Sequence, residues 1–148
     1  MKKLLSFILV SCVLSLRLKH RYPPQNPVIG IYTQAHDEDN NLNTNTTYIA
    51  ASYVKFIEMS GAQVVPIYSF SETRQVLNLM EKVNGVLFTG GGLKKFDISD
   101  QWTKNAEAIL NFAKTQNDNN NPFPIFGTCQ GLELLCYLTS NYNHSILA

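Results

Sequence analysis

The feature that most constrains the fold is a regular alternation of short apolar runs with amphipathic ones. The apolar, β-branched runs are bounded by turn-forming residues and predict buried strands. The runs between them repeat their apolar residues at helical spacing. Strands are predicted at 27–33, 62–68, 85–92 and 123–128, and helices at 47–61, 71–83, 99–116 and 130–139. The alternation predicts a three-layer α/β/α domain with a mostly parallel sheet and right-handed crossovers.

Single residues predict some of the element boundaries. Gly61 is placed to end the first helix, and Ser71 to cap the second. Pro66 lies inside a predicted strand and lacks a backbone donor, which favours a break or a position at the sheet edge.

Residues 1–20 have the form of a secretory signal. Lys2 and Lys3 precede an apolar run that is shorter than the roughly 20 residues a membrane span needs. An uncleaved anchor or a buried helix is the alternative. A secretory route predicts an extracellular, lysosomal or vacuolar protein with no stable membrane association after cleavage. It also gives meaning to two glycosylation sequons, at Asn45 and Asn143.

The charge composition limits the classes of partner that the protein is expected to bind. The 12 Lys and Arg residues nearly balance the 11 Asp and Glu residues, for a net charge of +1. These cations are scattered rather than clustered, whereas proteins that bind nucleic acid usually carry a basic stripe. We therefore expect no nucleic-acid partner.

Cys129 lies in Gly127-Thr-Cys-Gln-Gly131, which has the glycine spacing of a nucleophile elbow with Cys in place of Ser. Cys136 follows on the same predicted helix, roughly 10 Å away along the axis. A disulfide needs Cα atoms within about 7 Å, so both thiols are expected to be free. Cys136 is interpreted as a small core residue. A buried structural cysteine is the alternative for Cys129.

The turn around Cys129 predicts the parts of an acyl-transfer site. A helix that begins near Gln130 would direct its positive end at the sulfur, and the Gln130 N–H would point where an oxyanion forms. Gly90-Gly91-Gly92 ends another predicted strand. Because carboxyl ends of parallel strands share one sheet edge, these glycines, Cys129 and the loop with His36 are expected to meet there.

The segments "GTCQGLE", "GVLFTGG" and "YIAASYVKFIEMSGAQVVPI" resemble the gamma-glutamyl hydrolases, a family of the class I glutamine amidotransferase-like superfamily. The resemblance runs from about Val28 to the end of the sequence. It implies a cysteine hydrolase that cleaves folate poly-gamma-glutamates through a thioester, needs neither metal nor organic cofactor, and forms a homodimer. Family members carry signal peptides and act in lysosomes, vacuoles or outside the cell.

The resemblance also assigns roles by position. Cys129 matches the nucleophile, and the backbone amides of Gly91 and Gln130 match the oxyanion hole. Glu133, with Gly90 and Gly92, matches the substrate side, where a carboxylate could meet the substrate's α-ammonium. A solvent-facing helix glutamate is the alternative for Glu133.

One part of the family pattern does not appear. The family's base is a histidine in a His-Pro-Glu segment well beyond the elbow, and this sequence contains no such segment. Of His20, His36 and His144, only His36 is expected at the correct sheet edge. Residues 21–148 are therefore interpreted as the N-terminal portion of the domain. Either they belong to a longer active hydrolase, or they form a complete but degenerate product.

Two other classes stay open. A glutamine amidotransferase would be expected to carry Gln where Glu133 stands and to lack a signal. A non-catalytic binder of folate polyglutamates, acting alone or as a subunit partner, would be consistent with the missing His-Pro-Glu segment.

Overall fold

A computed structural model describes residues 24–35, 46–92 and 96–147. The strands are β1 (Val28–Tyr32), β2 (Gln34–Ala35), β3 (Thr47–Tyr48), β4 (Gln63–Ile67), β5 (Gly85–Phe88) and β6 (Ile125–Gly127). The helices are α1 (Ala51–Glu58), α2 (Thr73–Met80), α3 (Gln101–Asp118) and α4 (Gln130–Thr139), followed by a 3₁₀ helix (His144–Leu147).

The main sheet has four strands in the order β4-β1-β5-β6, and every neighbouring pair is parallel. This arrangement confirms the predicted α/β fold with a mostly parallel sheet. Pro66 lies in β4, which within the described ranges pairs with β1 alone and is therefore an edge strand there. An edge position tolerates a residue without an N–H, as the sequence predicted.

Alternate residues of the strands point to opposite faces of the sheet, and the two faces are covered differently. We call the side that carries Tyr32, Ile67, Val86 and Phe88 the covered face, because these residues pack into the main core with α2, α3 and α4. The helical residues in that core include Val76, Met80, Trp102, Ala106, Ile109, Ala113, Leu134 and Tyr137. The helical spacing of apolar residues predicted for 99–116 is thus confirmed in α3, where Trp102, Ala106, Ile109 and Ala113 are buried.

We call the opposite side the open face. Ile29, Leu87 and Phe126 line a groove there beside Phe56 and Ile57 of α1. Helix α1 contacts β4 and β1, yet it contains no fully buried residue. The groove has a volume of about 250 Å³ and is lined almost entirely by apolar side chains.

Two predicted boundaries were wrong. The helix predicted from residue 47 begins at Ala51, because Thr47–Tyr48 instead pair antiparallel with Gln34–Ala35. Ser71 does not cap α2, which begins at Thr73 with no side-chain cap. The Ser71 carbonyl instead accepts a hydrogen bond from Asn105 Nδ2 at 2.8 Å, which ties the chain before α2 to α3.

Other boundaries agree with the sequence. Gly61 follows α1 with φ 82°, a conformation that glycine adopts readily, and its N–H donates to the Glu58 carbonyl at 2.9 Å. Helix α4 runs from Gln130 to Thr139 as predicted. The predicted signal, His20, His36 and Asn45 lie outside the described residues. Within the described ranges, no helix is both long and apolar enough to span a membrane.

Candidate active site

Cys129 sits on a sharp turn between β6 and α4. Its backbone has φ 50° and ψ −121°, a strained conformation for a residue with a side chain, and the side chain is exposed. The strained strand-to-helix turn predicted at this position is therefore present.

The glycines of the motif are required because the chain passes close to itself. A Cβ at Gly131 would lie 2.2 Å from the Phe88 carbonyl oxygen. One at Gly127 would lie 2.7 Å from the Gly131 carbonyl oxygen. Both distances are far below ordinary contact. A side chain at Gly131 would push the turn away from β5, and one at Gly127 would push the start of α4 away from β6.

The carboxyl end of β5 brings the glycine turn against Cys129. The Thr128 N–H donates to the Phe88 carbonyl at 3.1 Å, which ties the two strand ends together. A Cβ at Gly90 would lie 3.1 Å from Cys129 Cβ and 3.6 Å from its Sγ. Gly91 follows directly, whereas Gly92 has nothing within 4 Å of such a Cβ. The predicted meeting of glycine turn and cysteine at one sheet edge is thus observed.

Tyr53 of α1 belongs to this site, which sequence reasoning missed. Its hydroxyl oxygen accepts a hydrogen bond from the Gly90 N–H at 2.9 Å. The sequence pattern places Tyr53 only among the apolar residues of the helix predicted at 47–61. Its hydroxyl, one turn into a helix that follows a loop at the carboxyl edge, was the available signal.

Gln34 is a second residue that sequence reasoning missed. It is only 2% exposed, and its Nε2 donates to the Thr89 carbonyl at 2.9 Å. The sequence pattern places it at the start of the polar loop that carries His36. A polar residue directly after a buried strand, at the edge where ligands gather, was the signal that could have found it.

Beneath Gln34, the end of β1 is fixed by α3. The Tyr32 hydroxyl donates to the Trp102 carbonyl at 2.5 Å, and Trp102 Nε1 donates to the Thr33 carbonyl at 3.1 Å. Burial raises the pKa of Tyr32 well above its ordinary value. The phenol therefore stays a neutral hydrogen-bond donor at physiological pH.

The remaining predicted residues lie along or beyond α4. Glu133 is exposed in the first turn of this helix, and its N–H donates to the Cys129 carbonyl at 3.1 Å. Cys136 is partly buried, and neither it nor Cys129 forms a disulfide. The roles of Cys129, Gly91, Gln130 and Glu133 in catalysis or substrate binding stay predictions.

His144 lies after the far end of α4. Its ring contacts the Tyr137 ring with centroids 4.5 Å apart. Ten residues of helix separate it from the elbow, about 15 Å of axis, which agrees with the position predicted for it. Asn143, the sequon residue, is exposed, and its Oδ1 accepts a hydrogen bond from the Ser145 N–H at 3.0 Å.

The parallel sheet, the strained cysteine at a strand-to-helix turn and the adjoining glycine turn define an α/β domain with the geometry of a nucleophile elbow at the carboxyl edge of its sheet. Residues 27–140 match the family model for Peptidase C26, and the chain belongs to this family.

The curated relatives are gamma-glutamyl hydrolases. Gamma-glutamyl hydrolase 1 of Arabidopsis thaliana is 43% identical over 125 residues, covering 82% of this chain and 34% of the relative. The Bos taurus gamma-glutamyl hydrolase is 37% identical and the Homo sapiens protein 36%, with 79% and 86% of this chain covered. The chain spans between a third and two fifths of the length of these relatives.

Proposed function

We propose that this chain supplies the part of a gamma-glutamyl hydrolase that carries the nucleophile, and that the enzyme cleaves the gamma-glutamyl bonds of folate poly-gamma-glutamates. The observation that carries the proposal is Cys129, held exposed in a strained turn with its Sγ beside the Gly90–Gly91 segment. The names of the relatives supply the substrate class.

In the proposed reaction, the Cys129 thiolate attacks the carbonyl carbon of the γ-amide. The carbonyl electrons move to oxygen, and the backbone amides of Gly91 and Gln130 donate hydrogen bonds to this oxyanion. The carbon–nitrogen bond then breaks, the leaving amine takes up a proton, and a thioester remains on Cys129. Water hydrolyses the thioester and restores the thiol.

Glu133 is proposed to bind the substrate rather than to transfer protons. It is exposed one turn along α4 from the nucleophile, on the helix whose first residues flank the sulfur. A carboxylate at this position would attract the α-ammonium of a glutamyl residue.

The proton-transfer group is proposed to come from a His-Pro-Glu segment of the kind the family carries. His144 is the one histidine in the described residues, and it lies beyond the far end of α4. The reaction as proposed draws on no metal or organic cofactor. A signal peptide at 1–20, glycosylation at Asn45 and Asn143, homodimer formation and action in a lysosome, a vacuole or outside the cell belong to the same proposal.

The test is release of glutamate from a polyglutamylated folate, measured with the chain as given, with a version extended by whatever the native transcript encodes after Ala148, and with Cys129→Ser in each. We expect the extended form to release glutamate and Cys129→Ser to abolish it. Release that persists in Cys129→Ser would contradict the proposed nucleophile.

A role in binding folate polyglutamates without cleaving them is the second candidate. It predicts that the transcript ends at Ala148, that no glutamate is released, and that polyglutamylated folate still binds. Equilibrium binding to Cys129→Ala measures this directly. Absence of binding together with absence of turnover would exclude both candidates.

A further inference from the structure

We propose that Gln34 is a positioning residue that holds the Gly90–Gly91 turn where its amide can meet the oxyanion. The inference rests on the proposed function, since it concerns how that reaction's oxyanion hole is held. Gln34 itself does not touch the substrate in this role.

The first observation is that the Gln34 carboxamide has a defined orientation. Its Nε2 donates to the Thr89 carbonyl at 2.9 Å. A carbonyl can only accept, so the nitrogen of the amide must face Thr89 and the oxygen must face away from it. This fixes the last residue before the glycine turn.

The second observation is that the oxygen of the same carboxamide lies against Gly91. A Cβ at Gly91 would be 2.5 Å from Gln34 Oε1 and 2.6 Å from Gln130 Oε1. The two carboxamides thus close over one side of Gly91. Since a Cβ at the preceding Gly90 would contact Cys129, the segment is held between Gln34 and the nucleophile.

The third observation is that this arrangement is retained at a cost. Gln34 Oε1 is buried, and no donor in the described part of the chain makes a hydrogen bond to it. A buried acceptor without a partner is destabilising. Native proteins satisfy nearly all such groups, so an exception calls for an explanation, and here the group adjoins the turn that would bind the oxyanion.

The backbone that carries Gln34 is itself held on both sides. Gln34 pairs with Tyr48 in the two-stranded sheet, and the Thr33 N–H donates to the Ile67 carbonyl at 3.1 Å. The Gly90 N–H is held by the Tyr53 hydroxyl. Gln34 therefore links the rigid end of β1 to the glycine turn at the end of β5.

The experiment compares two reactions of Cys129 that differ in their need for an oxyanion hole. A peptide aldehyde built on glutamate γ-semialdehyde forms a hemithioacetal, in which a carbon–sulfur bond forms and the carbonyl oxygen gains negative charge and then a proton. Iodoacetamide alkylates the thiolate by displacing iodide, with no oxyanion. The variant is Gln34→Met, which has similar length and no carboxamide, and Gln75→Met on the exposed surface of α2 is the control.

We expect Gln34→Met to weaken aldehyde binding by about 10- to 100-fold, less than the roughly 100- to 1000-fold loss for removal of a whole oxyanion donor. Its alkylation rate with iodoacetamide should stay within about twofold of the wild type, because alkylation makes no use of the turn. Gln75→Met should match the wild type in both reactions. Gln34→Leu, which also lacks the carboxamide and adds no charge, should weaken aldehyde binding similarly and serves if Gln34→Met does not fold.

Three outcomes would overturn the inference. Unchanged aldehyde binding in both Gln34 variants would show that the turn does not need Gln34. An equal loss in aldehyde binding and alkylation, with a lowered melting temperature, would show a merely structural role. A wild type that reacts with iodoacetamide but does not bind the aldehyde would overturn both the inference and the proposed function. The first two outcomes would overturn the inference alone, so the two failures can be told apart.

Discussion

The two faces of the sheet are built from similar apolar strand residues but are covered very differently. On the covered face, Trp102 and Ile109 are 1% and 0% exposed. The open face also buries Ile31 and Leu87, which are 0% and 1% exposed, but its Phe56 and Phe126 are 55% and 57% exposed. Because hydrophobic stabilisation grows with the apolar area removed from water, the covered face should supply most of the stability of this chain. The open face should instead determine how readily the chain associates with itself.

The largest effect is expected from Trp102→Ala on the covered face. The indole packs against Tyr32 and Phe96, with ring centroids 5.5 and 6.0 Å away, and its Nε1 donates to Thr33. We expect the free energy of unfolding to fall by about 4 kcal/mol, measured by urea unfolding followed by circular dichroism. A loss below about 1 kcal/mol would mean that the covered face is not the main source of stability.

Asn105→Leu should have the next largest effect, because it removes a fully buried polar junction of the covered face. Asn105 Nδ2 donates to the carbonyls of Ser69 and Ser71, each at 2.8 Å, and its Oδ1 accepts from Thr73 Oγ1 at 2.7 Å. Leucine has similar size but would remove these three hydrogen bonds from the buried junction, and we expect a loss of about 3 kcal/mol.

The control for Asn105→Leu is Asn111→Leu, at an exposed position of the same helix. It should change the free energy of unfolding by less than about 0.5 kcal/mol in the same urea experiment. Equal losses in the two variants would indicate a helix-propensity effect rather than loss of the buried hydrogen bonds.

Gly30→Ala tests how tightly the covered face is packed at its centre. The added Cβ would lie 2.5 Å from Ile67 Cδ1, and Ile67 is fully buried. We expect a loss of about 1–2 kcal/mol, read from thermal unfolding. Gly92→Ala, with nothing within 4 Å of its Cβ, should leave the melting temperature nearly unchanged. A Gly30→Ala protein as stable as the wild type would show spare room in this core.

The smallest effect on stability is expected from Phe126→Ser on the open face. Phe126 is more than half exposed, so the free energy of unfolding should change by less than about 1 kcal/mol. Self-association, measured by sedimentation velocity over a concentration series, should decrease because the variant removes apolar surface at an edge strand. A large loss of stability would mean that the open face is covered in solution.

Residues of the candidate active site differ in how far their sequence context predicts them. The strained turn at Cys129 and the bounds of α4 could be predicted, because Gly-Thr-Cys-Gln-Gly specifies a local backbone conformation. Tyr53 and Gln34 were missed. Their local sequence indicates at most that they lie near the carboxyl edge of the sheet, whereas each acts on the glycine turn through a hydrogen bond that spans 37 or 55 residues of sequence.

The helix predicted at 47–50 was wrong for the same reason, a contact between segments distant in sequence. Thr47 and Tyr48 directly precede the helical spacing of apolar residues that begins at Ile49, yet they form a strand because Gln34–Ala35 offer an antiparallel partner. A local propensity was overridden by a tertiary pairing.

The sequence by itself determined the alternation of strands and helices, the parallel sheet that follows from it, and the strained cysteine. These depend on periodicity and on residues that are neighbours in the chain, and such interactions can be read locally. Only the tertiary structure decided which face of the sheet is covered. Likewise, only the tertiary structure placed Tyr53 and Gln34 around the glycine turn. Those features depend on contacts between distant segments, whose geometry follows from how the whole domain packs rather than from any one stretch of residues.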